Sequence, residues 1–165
     1  MDRDGDFITE LGLPFLAHRL RRMSEQFVDD YAAWLTEAGI SAPARGLSTL
    51  LLLDRQGPHS VTEIAGRIRL SHPLIIKLVA QLEGAGLVET LADPTDRRRR
   101  PIALTPFGRQ QVARTEAASA VISAAYRELF AEVGVDLLDA AQRAEAAVIR
   151  EPFTARLRRL AARSA

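Results

Sequence analysis

Few side chains in this 165-residue sequence could do chemistry. It contains no cysteine, which excludes disulfide scaffolds, thiolate metal sites and a nucleophilic cysteine. Its histidines, His18, His59 and His72, are not spaced as metal ligands, so we expect no metal site. Neither a glycine-rich phosphate loop nor a serine–histidine–acid pattern is recognisable. We therefore expect a protein that is not an enzyme and that needs no cofactor.

Positive charge is concentrated in the middle of the sequence, although the formal net charge is only +1. Residues 55–109 contain nine basic and five acidic side chains, whereas residues 1–54 contain five basic and nine acidic ones. Four of the basic residues, Arg97 to Arg100, are consecutive. A local excess of positive charge is the electrostatic footprint that binding to nucleic acid requires.

Composition and the start of the sequence indicate where such a protein works. Hydrophobic residues make up 47% and charged residues 26%, which is typical of a folded domain with a core. The first six residues are polar and acidic, unlike a signal peptide, and no uncharged apolar run of about 18 residues follows. We expect a cytoplasmic protein that does not span a membrane.

The elements that would position these side chains follow from the apolar spacing. Apolar residues from Leu16 to Trp34 recur at intervals of three and four, which predicts a helix over residues 14–38. Ser60 and Glu63 form a capping-box pattern at the start of a short helix. Ser71 can cap the next helix, whose predicted inward face is Ile75, Leu78, Val79 and Leu82. A short helix is predicted between the start signal at residues 41–43 and the stop at Gly57-Pro58, and a long one from about residue 105 to Gly134. A last helical segment is predicted from about Asp136, kinked or broken at Pro152 before the helical face repeats at Phe153, Leu157 and Leu160.

After Gly86, the spacing of the apolar residues changes from the pattern of a helix to that of β-strands. Residues 87–91 and 101–104 are predicted strands, joined by a polar turn and the four arginines, and together they predict a hairpin. The order is a helix-turn-helix followed by a wing. We predict a mainly α fold with a small β-hairpin wing, in which a winged helix-turn-helix is flanked by long N- and C-terminal dimerisation helices. The predicted segments are an N-terminal dimerisation segment, 1–40, a DNA-binding lobe, 41–108, and C-terminal dimerisation helices, 109–165.

The flanking helices carry more apolar surface than a lobe of this size needs. The stripe Met23, Phe27, Tyr31 and Trp34 has the spacing of a core or interface face rather than of a ligand pocket. We therefore expect a twofold homodimer, in which a second copy covers this surface.

Two stretches resemble the MarR family of bacterial transcription regulators. Residues 70–88, L-S-H-P-L-I-I-K-L-V-A-Q-L-E-G-A-G-L-V, are similar to the recognition helix and the strand entry of that family. Residues 93–108, D-P-T-D-R-R-R-R-P-I-A-L-T-P-F-G, are similar to its wing and to its L-T-x-x-G exit into a long helix. The resemblance covers about residues 58–110. It implies a homodimeric regulator, often a repressor, that binds double-stranded DNA at a near-palindromic operator and can be released by a small, commonly phenolic, effector.

A recognition helix presents residues near its N-terminus to base edges, and wing arginines can enter the minor groove. The family's wing motif favours Arg98, braced by Asp96, as the arginine in that groove. Resemblance alone suggests a ligand pocket at His18, Arg22 and Arg45. The expected DNA contacts are Ser71, His72, Pro73, Ile76, Lys77 and Ala80 on the helix, Arg97, Arg98, Arg99 and Arg100 on the wing, and His59, Ser60 and Arg69 beside them.

The triplet Leu74, Ile75 and Ile76 leaves two interpretations open, because only one face of a helix can be core. Either one or both of Leu74 and Ile76 touch thymine methyl groups, or the helix contacts DNA weakly and packs on something else. The second interpretation describes a winged-helix protein-interaction module without specific DNA readout.

Overall fold

The computed structural model describes residues 6–92 and 100–164. These residues form two compact units that divide after Ala117, and the three-segment division expected from the sequence stays a prediction. The fold is mainly helical with one two-stranded antiparallel hairpin, as predicted. The first unit contains α1 (Phe7–Leu11), α2 (Leu16–Glu37), α3 (Leu47–Gln56), α4 (Val61–Ile68), α5 (His72–Gly84), β1 (Val88–Thr90), β2 (Ile102–Leu104) and the start of α6 (Pro106–Val133), with 3-10 turns at Leu13–Phe15 and Ala44–Gly46.

Helix α2 confirms the first predicted helix. It ends where Gly39 adopts a positive φ of 69°, a conformation that suits glycine. The N–H of Ile40 then donates to the carbonyl oxygen of Leu35 at 2.8 Å. Leu35 is fully buried, but the residues of the predicted apolar stripe are more exposed to solvent. Met23 is exposed, and Phe27, Tyr31 and Trp34 are half-buried.

The predicted capping box is present at the start of α4. The Ser60 hydroxyl oxygen accepts from the N–H of Glu63 at 3.3 Å, and the N–H of Ser60 donates to the Glu63 carboxylate at 2.7 Å. The inward face predicted for α5 is also confirmed, since Ile75, Leu78, Val79 and Leu82 are all buried. These local signals fix both helices of the helix-turn-helix.

His59 adds a third backbone segment to the hairpin. His59 and Ile102 exchange backbone N–H donors and carbonyl acceptors at 3.1 and 2.8 Å, next to the register pair Thr90 and Ile102 of β1 and β2. The His59 ring is only 8% exposed, and its Nδ1 lies 2.8 Å from the carbonyl oxygen of Gly57. The chain segment that enters α4 is therefore fastened to the wing.

The L-T-x-x-G segment joins the hairpin to α6 through the carbonyl groups of Gly86 and Leu87. The N–H of Thr105 donates to the Leu87 oxygen at 3.1 Å, and the Thr105 hydroxyl donates to the Gly86 oxygen at 2.6 Å. That hydroxyl also accepts from the N–H of Gly108 at 2.9 Å. Gly108 packs so closely that an added Cβ would lie 1.9 Å from the Leu87 oxygen. Glycine is required here by contact distance rather than by a positive φ.

The second unit contains the rest of α6, α7 (Leu137–Arg150) and α8 (Phe153–Ser164). Asp136 caps α7 by accepting from the N–H of Asp139 at 3.0 Å, and Pro152 separates α7 from α8 as predicted. No residue of this unit up to Ser164 is buried. Across the described part of the chain, the helices are too short or too polar to span a membrane.

Gly108→Ala should lower the free energy of unfolding by about 1–3 kcal/mol, because the new methyl group would overlap the Leu87 carbonyl. Gly66→Ala is the matched control, since a Cβ at Gly66 in α4 meets nothing within 4 Å. Alanine there should raise stability by about 0.5–1 kcal/mol. Urea unfolding followed by circular dichroism measures both changes. Effects of the same sign would contradict the close contact at Gly108.

Candidate nucleic-acid interface

Helix α5 has one buried face and one open face. With about 100° between successive residues, the four buried side chains occupy a single arc of the helix. His72, Pro73, Ile76, Lys77 and Ala80, the base-contacting residues predicted from the sequence, are all exposed. The structure thus brings them together on one open surface, which we call the reading face.

The N-terminus of α5 is only partly capped. Ser71 occupies the N-cap position, but its side chain makes no capping hydrogen bond, unlike the sequence expectation. Pro73 explains part of this difference because it occupies the second helical position and lacks the N–H that a cap would accept from. His72 Nε2 lies 3.4 Å from the Thr62 hydroxyl, which links the first turn of α5 to α4. Ser71 is exposed, so its hydroxyl is available at this helix end.

The turn between α4 and α5 contains a strained arginine. Arg69 has φ 59° and ψ 39°, the left-handed conformation, and is the only non-glycine residue with positive φ in the described chain. The following N–H, of Leu70, donates to the Ala65 oxygen at 3.2 Å. A left-handed conformation costs a residue with a Cβ about 1–2 kcal/mol. The Arg69 side chain is exposed beside the reading face, and the sequence pattern gave no sign of the strain.

Two other residues expected to touch DNA have roles within the fold. The His59 ring is buried, and its Nδ1 is engaged with a backbone oxygen. The Ser60 hydroxyl donates to the Glu63 carboxylate at 2.8 Å. The structure gives both side chains positions that hold α4 in place. A phosphate contact by either one stays a prediction.

Of the wing, the structure describes the two strands and the residues next to them. Asp96, Arg97, Arg98 and Arg99 lie outside the described residues, so their predicted roles stay predictions. Arg100 is exposed and precedes β2. Between α5 and the wing is an open groove of about 370 Å³ that sequence reasoning missed. The groove is lined by Val61, Ile76, Val79, Ala80, Glu83, Thr90, Arg100 and Ile102.

A hydrogen bond fastens the wing to α5 on one side of this groove. The Thr90 hydroxyl of β1 donates to the Glu83 carboxylate at 2.5 Å. Glu83 is exposed on the last turn of α5. Among the described lining residues, this bond engages the one acidic side chain, and Arg100, just before β2, places a positive charge at the same groove. The described lining of this groove is therefore mainly apolar, with one acidic and one basic side chain.

The predicted ligand-pocket residues do not converge on a described cavity. Arg22 pairs with Asp6 at 2.6 Å, and the hydrogen bond from Arg22 holds the pKa of the Asp6 carboxyl far below its usual value. His18 and Arg45 are exposed. None of the three lines the second cavity, of about 220 Å³, at the end of α2. That cavity is lined by Ala32, Thr36, Gly39, Ile40, Ser41, Ala42, Pro43 and Ala44.

Two side chains of α6 that sequence reasoning missed hold the loop at this second cavity. Buried Gln111 accepts from the N–H of Ser41 at 2.7 Å, and Arg114 donates to the Gly39 oxygen at 2.8 Å. Each of these hydrogen bonds joins residues at least 70 positions apart in the chain, so no local sequence pattern predicts it. In residues 6–92 and 100–164, no three histidine or acidic side chains are grouped as metal ligands would be.

Two kinds of comparison find known proteins that are similar to this chain. The family model of the MarR family matches residues 44–99, which include α3, α4, α5 and β1. The transcriptional repressor CouR, solved bound to a 23-mer DNA duplex, is 28% identical, with 81% of this chain and 92% of CouR covered and a TM-score of 0.62. None of the curated proteins matches the sequence.

Two further solved structures are similar. CouR from Rhodococcus jostii RHA1 bound to p-coumaroyl-CoA is 28% identical over 83% of this chain and 92% of its own, with a TM-score of 0.54. The S. aureus MepR–DNA complex shares the fold, at 20% identity over 81% of this chain and 95% of its own, with a TM-score of 0.60. The resemblance of this chain to MarR-type transcription regulators is thereby confirmed.

Proposed function

We propose that this chain, a MarR-type protein by its match over residues 44–99, is a sequence-specific DNA-binding transcription regulator and not an enzyme. The observation that carries the proposal is the open reading face of α5, which lies beside the hairpin and the exposed Arg100. One protein of similar architecture, CouR, has been solved on a DNA duplex. Such a regulator acts on the chromosome, and hence in the cytoplasm.

Affinity and selectivity come from different residues in this proposal. Phosphate contacts give affinity and register, while contacts to base edges give selectivity. Lys77 on the reading face, Arg69 in the turn and Arg100 at the wing are exposed cations placed around α5. The exposed hydroxyl of Ser71 lies at the N-terminus of α5, where the helix dipole also attracts phosphate. Arg98 in the minor groove remains the proposed wing contact.

The protein acts as a homodimer in this proposal. The second unit has no buried residue among those described, although it is rich in apolar side chains. A second copy would cover this surface together with the half-covered stripe of α2. The exposed large apolar residues of this unit are Val121, Tyr126, Val133, Val135, Leu138, Val148, Ile149, Phe153, Leu157 and Leu160.

Repression relieved by a small effector completes the proposed mechanism. CouR is named a repressor and has been solved with p-coumaroyl-CoA. The dimer can adopt a conformation whose reading faces match the spacing of two half-sites and one whose reading faces do not. A ligand that binds the second conformation more tightly lowers the fraction of dimers that can bind DNA. His18, Arg22 and Arg45 stay the proposed pocket for an anionic ligand. Because Arg22 is paired with Asp6, ligand binding there would have to replace that ion pair.

Selection of bound duplexes from a random pool, with the purified full chain, tests this function. We expect an enriched inverted repeat of roughly 16–20 base pairs, since two half-sites one helical turn apart match a twofold dimer. Titration against a scrambled duplex at two salt concentrations should give a specificity ratio of at least about 10³. Binding that is equally strong to every duplex, or no enrichment, would contradict the proposal and favour a protein-interaction module.

Arg69→Gly should change stability and DNA affinity in opposite directions. Glycine relieves the left-handed strain, so the free energy of unfolding should rise by up to about 1 kcal/mol. Loss of the guanidinium should weaken binding to every duplex and lower the salt slope by about 1 for each phosphate contact removed. Arg69→Lys is the control that keeps both the charge and the strain. An unchanged salt slope in Arg69→Gly would show that Arg69 does not contact phosphate.

A further inference from the structure

Ile76 is an aliphatic side chain in the middle of a surface that should meet a polyanion. We propose that Ile76 reads the C5-methyl group of thymine, so that each half-site carries thymine where Ile76 enters the major groove. The inference rests on the proposed DNA-binding function and goes further by naming the base chemistry that the chain selects. It also separates Ile76 from Leu74, which the sequence left equivalent.

Both side chains are open, but they lie on different sides of α5. Leu74 is 47% exposed and Ile76 is 51% exposed. With about 100° between successive residues, the two side chains leave the helix about 160° apart. Ile76 lines the groove between α5 and the wing, whereas Leu74 does not. DNA held by both the reading face and the wing has to cover the surface between them, and Ile76 lies there.

The charges around Ile76 identify the class of partner. Arg100 lines the same groove, and exposed Lys77 is the next residue along the helix. Among the described lining residues the one acidic side chain, Glu83, accepts a hydrogen bond from Thr90 and lies about two helical turns beyond Ile76. The cations Lys77 and Arg100 are suited to the phosphates that flank a major groove.

The chemistry of base edges then identifies the target of Ile76. In the major groove, thymine is the base that presents a methyl group, and apolar contact with it is an established form of readout. Ala80 lines the same groove one turn further along and adds apolar surface. A cytosine amine or a guanine oxygen against Ile76 would lose water without gaining a partner. The contact therefore selects for thymine and against G·C pairs at this position.

Removal of single methyl groups from the DNA tests the proposal. Each thymine of the selected duplex is replaced in turn by deoxyuridine, which removes only the C5-methyl group, and affinity is measured by fluorescence anisotropy. One position in each half-site should lose about fourfold in affinity for each methyl group that is no longer buried. With Ile76→Ala, the thymine and uracil duplexes should bind equally at that position.

Leu74→Ala is the matched control, because it shortens an equally exposed aliphatic side chain on the same helix. It should keep the fourfold preference for thymine, and Ile76→Val, which keeps a branched aliphatic group, should keep most of it. Circular dichroism confirms that the variants fold.

Three results would overturn the proposal. Specific binding with no effect of any uracil would refute methyl readout and leave the DNA-binding function standing. Loss of the preference in Leu74→Ala but not in Ile76→Ala would refute the assignment to Ile76. Failure to select any duplex would remove the proposed function, and this inference with it.

Discussion

Helix α5 can read a nucleic acid only if one of its faces is fixed to the protein and the opposite face is left free. Four aliphatic side chains, Ile75, Leu78, Val79 and Leu82, meet this constraint by burial within an arc of about 100°. Full burial of each such side chain stabilises the fold by about 1.5–3 kcal/mol. Their spacing leaves Pro73, Ile76, Lys77 and Ala80 no position except the open side. The reading face is thus a consequence of how the core is packed.

A second constraint sets the distance between the reading face and the wing. The N–H of Leu87 donates to the Leu82 oxygen at 2.9 Å, so the first strand starts at a fixed point on the end of α5. The Leu87 oxygen accepts from Thr105, and Gly108 packs against it at the start of α6. The bond between Thr90 and Glu83 fastens the strand to α5 again, three residues after Leu87 in the chain. Helix α5 and the first strand of the wing are therefore joined at two points, Leu87 and Thr90.

Most helices and the wing could be predicted from the sequence because their signals are local. The capping box at Ser60, the period of the inward face and Pro152 each act within a few residues. The buried His59 could not be predicted, because it pairs with Ile102 across 43 positions of the chain. The left-handed Arg69 and the missing cap at Ser71 were also unforeseen, because preference scales favour glycine at the first and a capping bond at the second.

Two copies of α5 related by a twofold axis should read successive turns of one face of the DNA. Hydroxyl-radical footprinting of the selected duplex, with the full chain bound, measures this directly. We predict two equivalent protected stretches whose centres are about 10 base pairs apart, one for each copy of the helix. A single protected stretch with an unprotected second half-site would contradict paired reading by α5.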